Sequence, residues 1–208
     1  MKGKFITFEG PEGVGKSHQI KRLEQYLNEK NIKYYFTREP GGTAISEKIR
    51  NLILDKNNDK MSDECEALLY AAARAQLIKE EILPRLEAGE LVFCDRYIDS
   101  SFAYQVYARG LSLEFVKSIN SYAIENCMPN YTIFLNLTPE QAFKRKGGVD
   151  KTDRLELCGL EFHKKVYEGY LTVAKQEPNR FLVIDASGER EQTHKKIIDA
   201  LKSVGVIC

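Results

Sequence analysis

Short apolar runs rich in β-branched and aromatic residues recur along the chain, separated by longer amphipathic stretches. Residues 4–9, 33–37, 91–94, 132–137 and 181–185 predict buried strands, because the runs are continuous rather than alternating. Between them, segments 16–31, 45–54, 62–88, 114–125, 139–145, 160–176 and 191–202 predict helices by their length or period. Thr138-Pro139-Glu140-Gln141 marks one start sharply, with an N-cap hydroxyl, proline at the first helical position and Gln141 at the third. Strand–helix alternation of this kind predicts an α/β fold, a parallel five-stranded sheet flanked by helices on both faces. No repeat, low-complexity tract or Pro/Ser-rich linker interrupts it, so residues 1–208 read as one domain. Two segments break the rhythm. Residues 55–60 are polar and Asn-rich, a surface loop, and residues 144–154 form a basic stretch containing Gly147-Gly148.

Composition narrows the function more than the fold. The 208 residues hold 31 Lys+Arg against 30 Asp+Glu, a net charge of +1, which argues against a nucleic-acid or anionic-membrane partner but permits a locally basic site. The apolar run after Met1-Lys2-Gly3-Lys4 is too short for a secretory signal, and no stretch nears the roughly 20 apolar residues of a membrane span. Five widely spaced cysteines without a C-x-x-C pair read as reduced thiols of a cytoplasmic protein, with Cys94 in the core. His18, His163 and His194 are scattered and expected at the surface, with no chemistry.

Gly10-Pro11-Glu12-Gly13-Val14-Gly15-Lys16-Ser17 matches G-x-x-x-x-G-K-[ST] between an expected strand and an expected helix. Glycines let the backbone curl into a ring of inward N–H groups around a triphosphate, and the helix N-terminus adds its positive end. Lys16 brings a charge to the β/γ-phosphates, and the Ser17 hydroxyl ligates Mg²⁺. A GTPase would carry N-K-x-D after a strand, whereas Asp150-Lys151-Thr152-Asp153 lies in the polar stretch. A motor-type ATPase would need a longer chain. A small kinase with a nucleotide or nucleoside acceptor remains.

The run 91–94 ends in Asp95-Arg96-Tyr97. In a parallel sheet the carboxyl ends of strands line the ligand crevice, so Asp95 is expected to face the crevice of Lys16. Its carboxylate can hold the Mg²⁺ shell or orient the attacking group, and Arg96 can clamp an acceptor phosphate with its bidentate fork.

Thr37-Arg38-Glu39-Pro40-Gly41-Gly42-Thr43, Ala72-Ala73-Arg74, Asp95-Arg96-Tyr97 and Ser101-x-x-x-Gln105, added to the P-loop, resemble the thymidylate kinase family from about residue 4 to residue 185. The resemblance implies a three-layer P-loop nucleotide kinase with a mobile lid at about 144–156. It implies γ-phosphoryl transfer from ATP to dTMP with Mg²⁺, in dTTP synthesis, by a cytoplasmic homodimer. It implies further that Arg38, Arg50 and Arg96 hold the dTMP phosphate, with Glu39-Pro40 alongside and a cis bond between them. Tyr70 would stack on thymine while Arg74, four residues on, bonds its carbonyl edge. Ser101 and Gln105 would read the same base, Gln105 offering both a donor and an acceptor, and the Tyr104 ring would disfavour a 2′-hydroxyl.

The family divides by where its transfer cation originates. The variable P-loop positions Pro11, Glu12, Gly13 and Val14 carry no base, whereas Lys144, Arg145, Lys146, Lys151 and Arg154 crowd the flap, which resembles the bacterial lid-arginine type. Arg145 is the first expectation for that cation and Arg154 the second, with Glu12 between donor and acceptor at the sugar hydroxyl or the lid. The turn Asp185-Ala186-Ser187 is expected beside adenine. Two rivals carry different expectations. A deoxynucleoside kinase has an uncharged acceptor and no use for three arginines at a second phosphate. A non-catalytic nucleotide-binding module has no use for a base-reading face.

Overall fold

The computed structural model describes residues 2–146 and 154–208. Residues 147–153, the middle of the expected lid with Lys151, lie outside the described residues. Along the chain run β1 (Lys4–Glu9), α1 (Lys16–Glu29), β2 (Tyr34–Arg38), α2 (Ala44–Leu54), α3 (Asp63–Leu77), α4 (Leu83–Glu87) and β3 (Leu91–Asp95). There follow α5 (Ile98–Ser101), α6 (Leu113–Ile119), α7 (Ser121–Asn126), β4 (Tyr131–Asn136), α8 (Pro139–Lys146), α9 (Gly159–Gln176), β5 (Phe181–Asp185) and α10 (Arg190–Ser203).

The strands lie in the order β2-β3-β1-β4-β5, and every pairing is parallel. Parallel direction throughout brings Glu9, Arg38, Asp95, Asn136 and Asp185 to one edge, where the site forms. The continuous apolar runs belong to the three inner strands, whose middle residues are buried. The outer strands β2 and β5 are only partly covered, because each has a neighbour on one side alone, so the expectation of buried strands is corrected for them. One face of the sheet packs Phe8, Phe93 and Ile133 against Leu23 and Leu27 of α1 and Ile197 and Leu201 of α10. The other packs Val92 and Cys94 against Leu77 and Ile78, and Phe134 against Val166 and Tyr170 of α9. Each such large apolar side chain contributes about 1.5–3 kcal/mol by leaving water.

Three further departures from the pattern have local causes. The expected helix 62–88 runs through a π-helical turn at Ile78–Ile82 before α4. Pro84 has no N–H for the carbonyl four residues back, which loosens the regular ladder there. The expected helix 114–125 breaks at Asn120, which is 2% exposed and whose amide oxygen accepts from Arg74. Residues 98–108, α5 continued by a π-helical Phe102–Ala108, had no predicted element. Their polar Asp99, Ser101 and Gln105 spoil the apolar period, yet all three are buried, Ser101 and Gln105 against the site and Asp99 in a pair with Arg180 and Thr132. His163, expected at the surface, is buried on α9 edge-on to Phe143 and Phe162.

Candidate active site

The chain leaves β1 at Glu9, makes the loop from Gly10 to Gly15 and enters α1 at Lys16. Gly15 sits at φ 96° as the N-cap, and a Cβ on Gly10 would meet the Leu135 carbonyl at 2.9 Å, so the ring closes only with glycine at both. Lys16 is 8% exposed and its ammonium donates to the carbonyls of Gly10 at 3.2 Å and Pro11 at 3.5 Å. Burial, reinforced by the nearby Arg96 charge, pulls its pKa down. A phosphate there would reverse that shift.

Asp95 and Arg96 end β3 beside the loop. Arg96 has φ 67°, a left-handed conformation that costs a non-glycine residue about 1–2 kcal/mol. The turn sends its guanidinium across the P-loop mouth, where it donates to Tyr170 Oη at 3.1 Å, Gly10 O at 3.3 Å and Glu12 Oε1. Burial would raise the Glu12 carboxyl, but the Arg96 and Lys16 charges outweigh it and hold it down to about 2. Glu12 lines both hollows that open here and pairs with Arg96. Oδ1 of Asp95 is buried with no hydrogen-bond partner among the described residues.

Two connected hollows lie on this side. The outer one, about 190 Å³, is lined by Glu12, Lys16, Ser17, Arg38, Glu39, Pro40, Arg50, Tyr70, Asp95 and Arg96. The inner one, about 40 Å³, is lined by Tyr70, Arg96, Ser100, Ser101, Tyr104 and Gln105 with Leu155 across them. Arg38 donates to Glu47 at 3.0 Å and Arg50 to the Pro40 carbonyl at 2.8 Å, so both cations are steadied at the rim. The Glu39-Pro40 bond is cis. Tyr104 lies under Arg96 at 5.2 Å, and its buried hydroxyl has no partner among the described residues.

Arg74 departs from expectation. It is 1% exposed and lines neither hollow. Its N–H groups go to Glu39 Oε2, Ser101 Oγ at 2.9 Å, Asn120 and the Tyr97 carbonyl at 3.2 Å. It therefore stands behind the pocket and acts on it through Ser101 and Glu39. Burial, only partly offset by Arg74, pushes Glu39 up to about 7.

The flap arginines also lie elsewhere than expected. Arg145 donates to the carbonyls of Ala186 at 2.6 Å, Gly188 at 3.0 Å and Ser187. It lines a third cleft, about 160 Å³, with Gly13, Val14, Gly15, His18, Gln19 and Arg190. This cleft shares no lining residue with the two hollows. Arg154 donates to the Ile53 carbonyl at 3.0 Å and to the buried Glu66. Both cations are taken up by carbonyl or carboxylate acceptors.

Sequence reasoning missed Glu9, Ser100 and Tyr170. Glu9 is fully buried and accepts from Tyr97 N, Ser100 Oγ and Tyr170 Oη, each at 2.7 Å. Burial, with the Asp99 charge adding to it, pushes Glu9 up to about 7. An acid closing an apolar strand just before a P-loop was a usable signal for Glu9. Tyr170 lies on the core face of an ordinary amphipathic helix and gave none.

A backbone-built phosphate cradle opening onto a second, arginine-lined hollow is the layout of an ATP-dependent P-loop nucleotide kinase. The family model described as Thymidylate kinase matches residues 8–197. The chain is 50% identical over 202 residues to the Thymidylate kinase of Thermoanaerobacter sp. (strain X514), covering 97% of this chain and 98% of that one. It is 48% identical to that of Bacillus velezensis (98% and 96% covered) and 47% identical to that of Clostridium novyi (97% and 99%). This chain belongs to the thymidylate kinase family.

Proposed function

We infer that this protein transfers the γ-phosphoryl group of ATP to dTMP, giving dTDP and ADP and feeding dTTP synthesis. The observation that carries the reading is the outer hollow, where Lys16 and Ser17 of the P-loop share one wall system with Arg38, Arg50 and Arg96. Two anions are drawn to one place, which is what in-line phosphoryl transfer needs. A nucleoside acceptor would leave three arginines without a phosphate, and this weighs against the deoxynucleoside-kinase reading.

In this reading the P-loop N–H groups and Lys16 hold the β- and γ-phosphates. The cleft lined by Arg145 and Ala186 takes adenine, with the planar guanidinium available to stack on it. Arg38, Arg50 and Arg96 hold the acceptor phosphate in line, and Glu12 fixes Arg96 by pairing with it. Lys16 and Arg96 then carry the charge at the moving group, in place of Arg145 and Arg154. Tyr70 packs on the base, Ser101 and Gln105 read its edge, and Tyr104 abuts the sugar.

The donor set suits Mg²⁺. A hard cation needs only one or two protein oxygens beside phosphates and water. Ser17 and Asp95, whose Oδ1 is buried without a partner, offer these. Mg²⁺ there would neutralise charge developing on the donor phosphates.

The reading extends to a homodimer. Ile45 and Leu52, one face of α2, and Leu68 on the adjoining α3 are each about half exposed, an apolar surface suited to a second copy. The unpaired cysteines suit the cytoplasm. No helix among the described residues is long and apolar enough to cross a membrane. A coupled ADP-release assay with ATP, Mg²⁺ and either dTMP or thymidine tests the activity. Turnover with dTMP and little with thymidine is expected; the reverse would favour the nucleoside kinase.

A further inference from the structure

Glu66 lies on α3 one turn before Tyr70 and is fully buried. Its oxygens gather three donor side chains from two segments, Gln105 and Arg109 from the π-helical stretch and its end, and Arg154 from the end of the flap. Oε1 accepts from Gln105 Nε2 at 3.1 Å and Arg109 Nε at 3.3 Å, and Oε2 accepts from Arg109 at 2.9 Å and from Arg154. Leu155, next in the chain after Arg154, lines both acceptor hollows.

A carboxylate can only accept hydrogen bonds. Facing Glu66, Gln105 must present its NH₂, which leaves its amide oxygen for the inner hollow that it lines. Thymine and uracil offer an N–H at ring position 3 to such an oxygen. Cytosine offers a bare nitrogen there, so two acceptors would face each other across a buried contact.

We propose that Glu66 is a positioning residue for base recognition: it fixes the direction of the Gln105 amide and, through Arg154, seats Leu155 as the facing wall. One buried carboxylate thereby sets both the donor order and the width of the base pocket. The inference rests on the reading that the base occupies the inner hollow.

The test is the ratio of kcat/KM for dUMP to that for dCMP at saturating ATP and Mg²⁺, since these differ only along the pyrimidine edge. The wild-type enzyme favours dUMP. In Glu66→Gln, residue 66 can donate as well as accept, Gln105 is free to turn, and the ratio falls about 10-fold or more. Glu66→Asp keeps the charge at a shorter reach, and its ratio falls less, about 3-fold; it serves alone if Glu66→Gln does not fold. A folded variant with lowered thermal stability but a wild-type ratio would show that Glu66 is structural and overturn the proposal. Gln105→Ala separates the two layers. Its ratio should collapse toward one. A ratio lost in Gln105→Ala but intact in Glu66→Gln overturns the role of Glu66 alone, whereas one unmoved in Gln105→Ala overturns the base site as well.

Discussion

The donor and acceptor sides of this site are built from different materials. The donor side is backbone: a glycine ring, a helix N-terminus and the carbonyls of residues 186–188, with Lys16 as its one buried cation. The acceptor side is side chain, and its charges are already paired. Arg96 holds Glu12, Arg74 holds Glu39, and Arg109 and Arg154 share Glu66. A cradle of peptide N–H groups recognises any triphosphate, because every sequence supplies it. A buried network recognises one ligand, because a mismatched edge leaves its own polar groups unpaired. Substitutions should therefore damage the acceptor side more, and should damage stability there as well as activity.

Arg74→Met should show the largest effect on the acceptor side. It leaves Glu39 buried beside nothing of opposite charge, at a cost of about 3–5 kcal/mol. Thermal unfolding should report it as a fall in Tm of about 10 °C. An unchanged Tm would mean that the network is decoration, and the contrast between the sides would fail.

Glu9→Gln sharpens the comparison from the seam between the sides. Glu9 titrates near 4.5 unfolded and near 7 folded, so the native state binds the proton more tightly. Stability is then lost as pH rises from about 4.5 to 7, by about 3 kcal/mol at most. Gln keeps the shape without the charge, and the Ser100 and Tyr170 hydroxyls can turn round to suit it. The variant should be more stable than wild type at pH 7.5 and no more stable at pH 4.5, as read by chemical denaturation at both values. Equal stability at both would place Glu9 outside the buried acids.

Arg145→Ala should have the smallest effect, on the donor side. With the guanidinium bound to residues 186–188, its loss should raise the KM for ATP about tenfold and leave kcat within about threefold. A kcat several hundredfold lower would return Arg145 to the transferred phosphoryl group.

The same contrast explains what could be read from the chain. The P-loop was legible because a backbone device leaves a linear motif, and the parallel five-stranded sheet followed from strand–helix alternation, though its strand order did not. Asp95 and Arg96 were legible as the polar end of an apolar run. Arg74 was recognised as important but not as buried, because a sequence position says nothing about how many acceptors converge on it from Glu39, Tyr97, Ser101 and Asn120. Residues 98–108 escaped the pattern because polar side chains there face inward. The flap arginines misled for the opposite reason, since charge density in the chain does not reveal which acceptors lie nearest.

The central claim is that cations on the acceptor side, Arg96 above all, read the phosphate of dTMP. The most direct measurement is the dissociation constant of dTMP and of thymidine for the wild-type enzyme and for Arg96→Ala, by isothermal titration calorimetry. Truncating one partner of a buried charge contact costs about 2–5 kcal/mol. Arg96→Ala should therefore weaken dTMP by about 30-fold or more and thymidine by less than about 3-fold. Equal weakening of the two ligands would contradict the account.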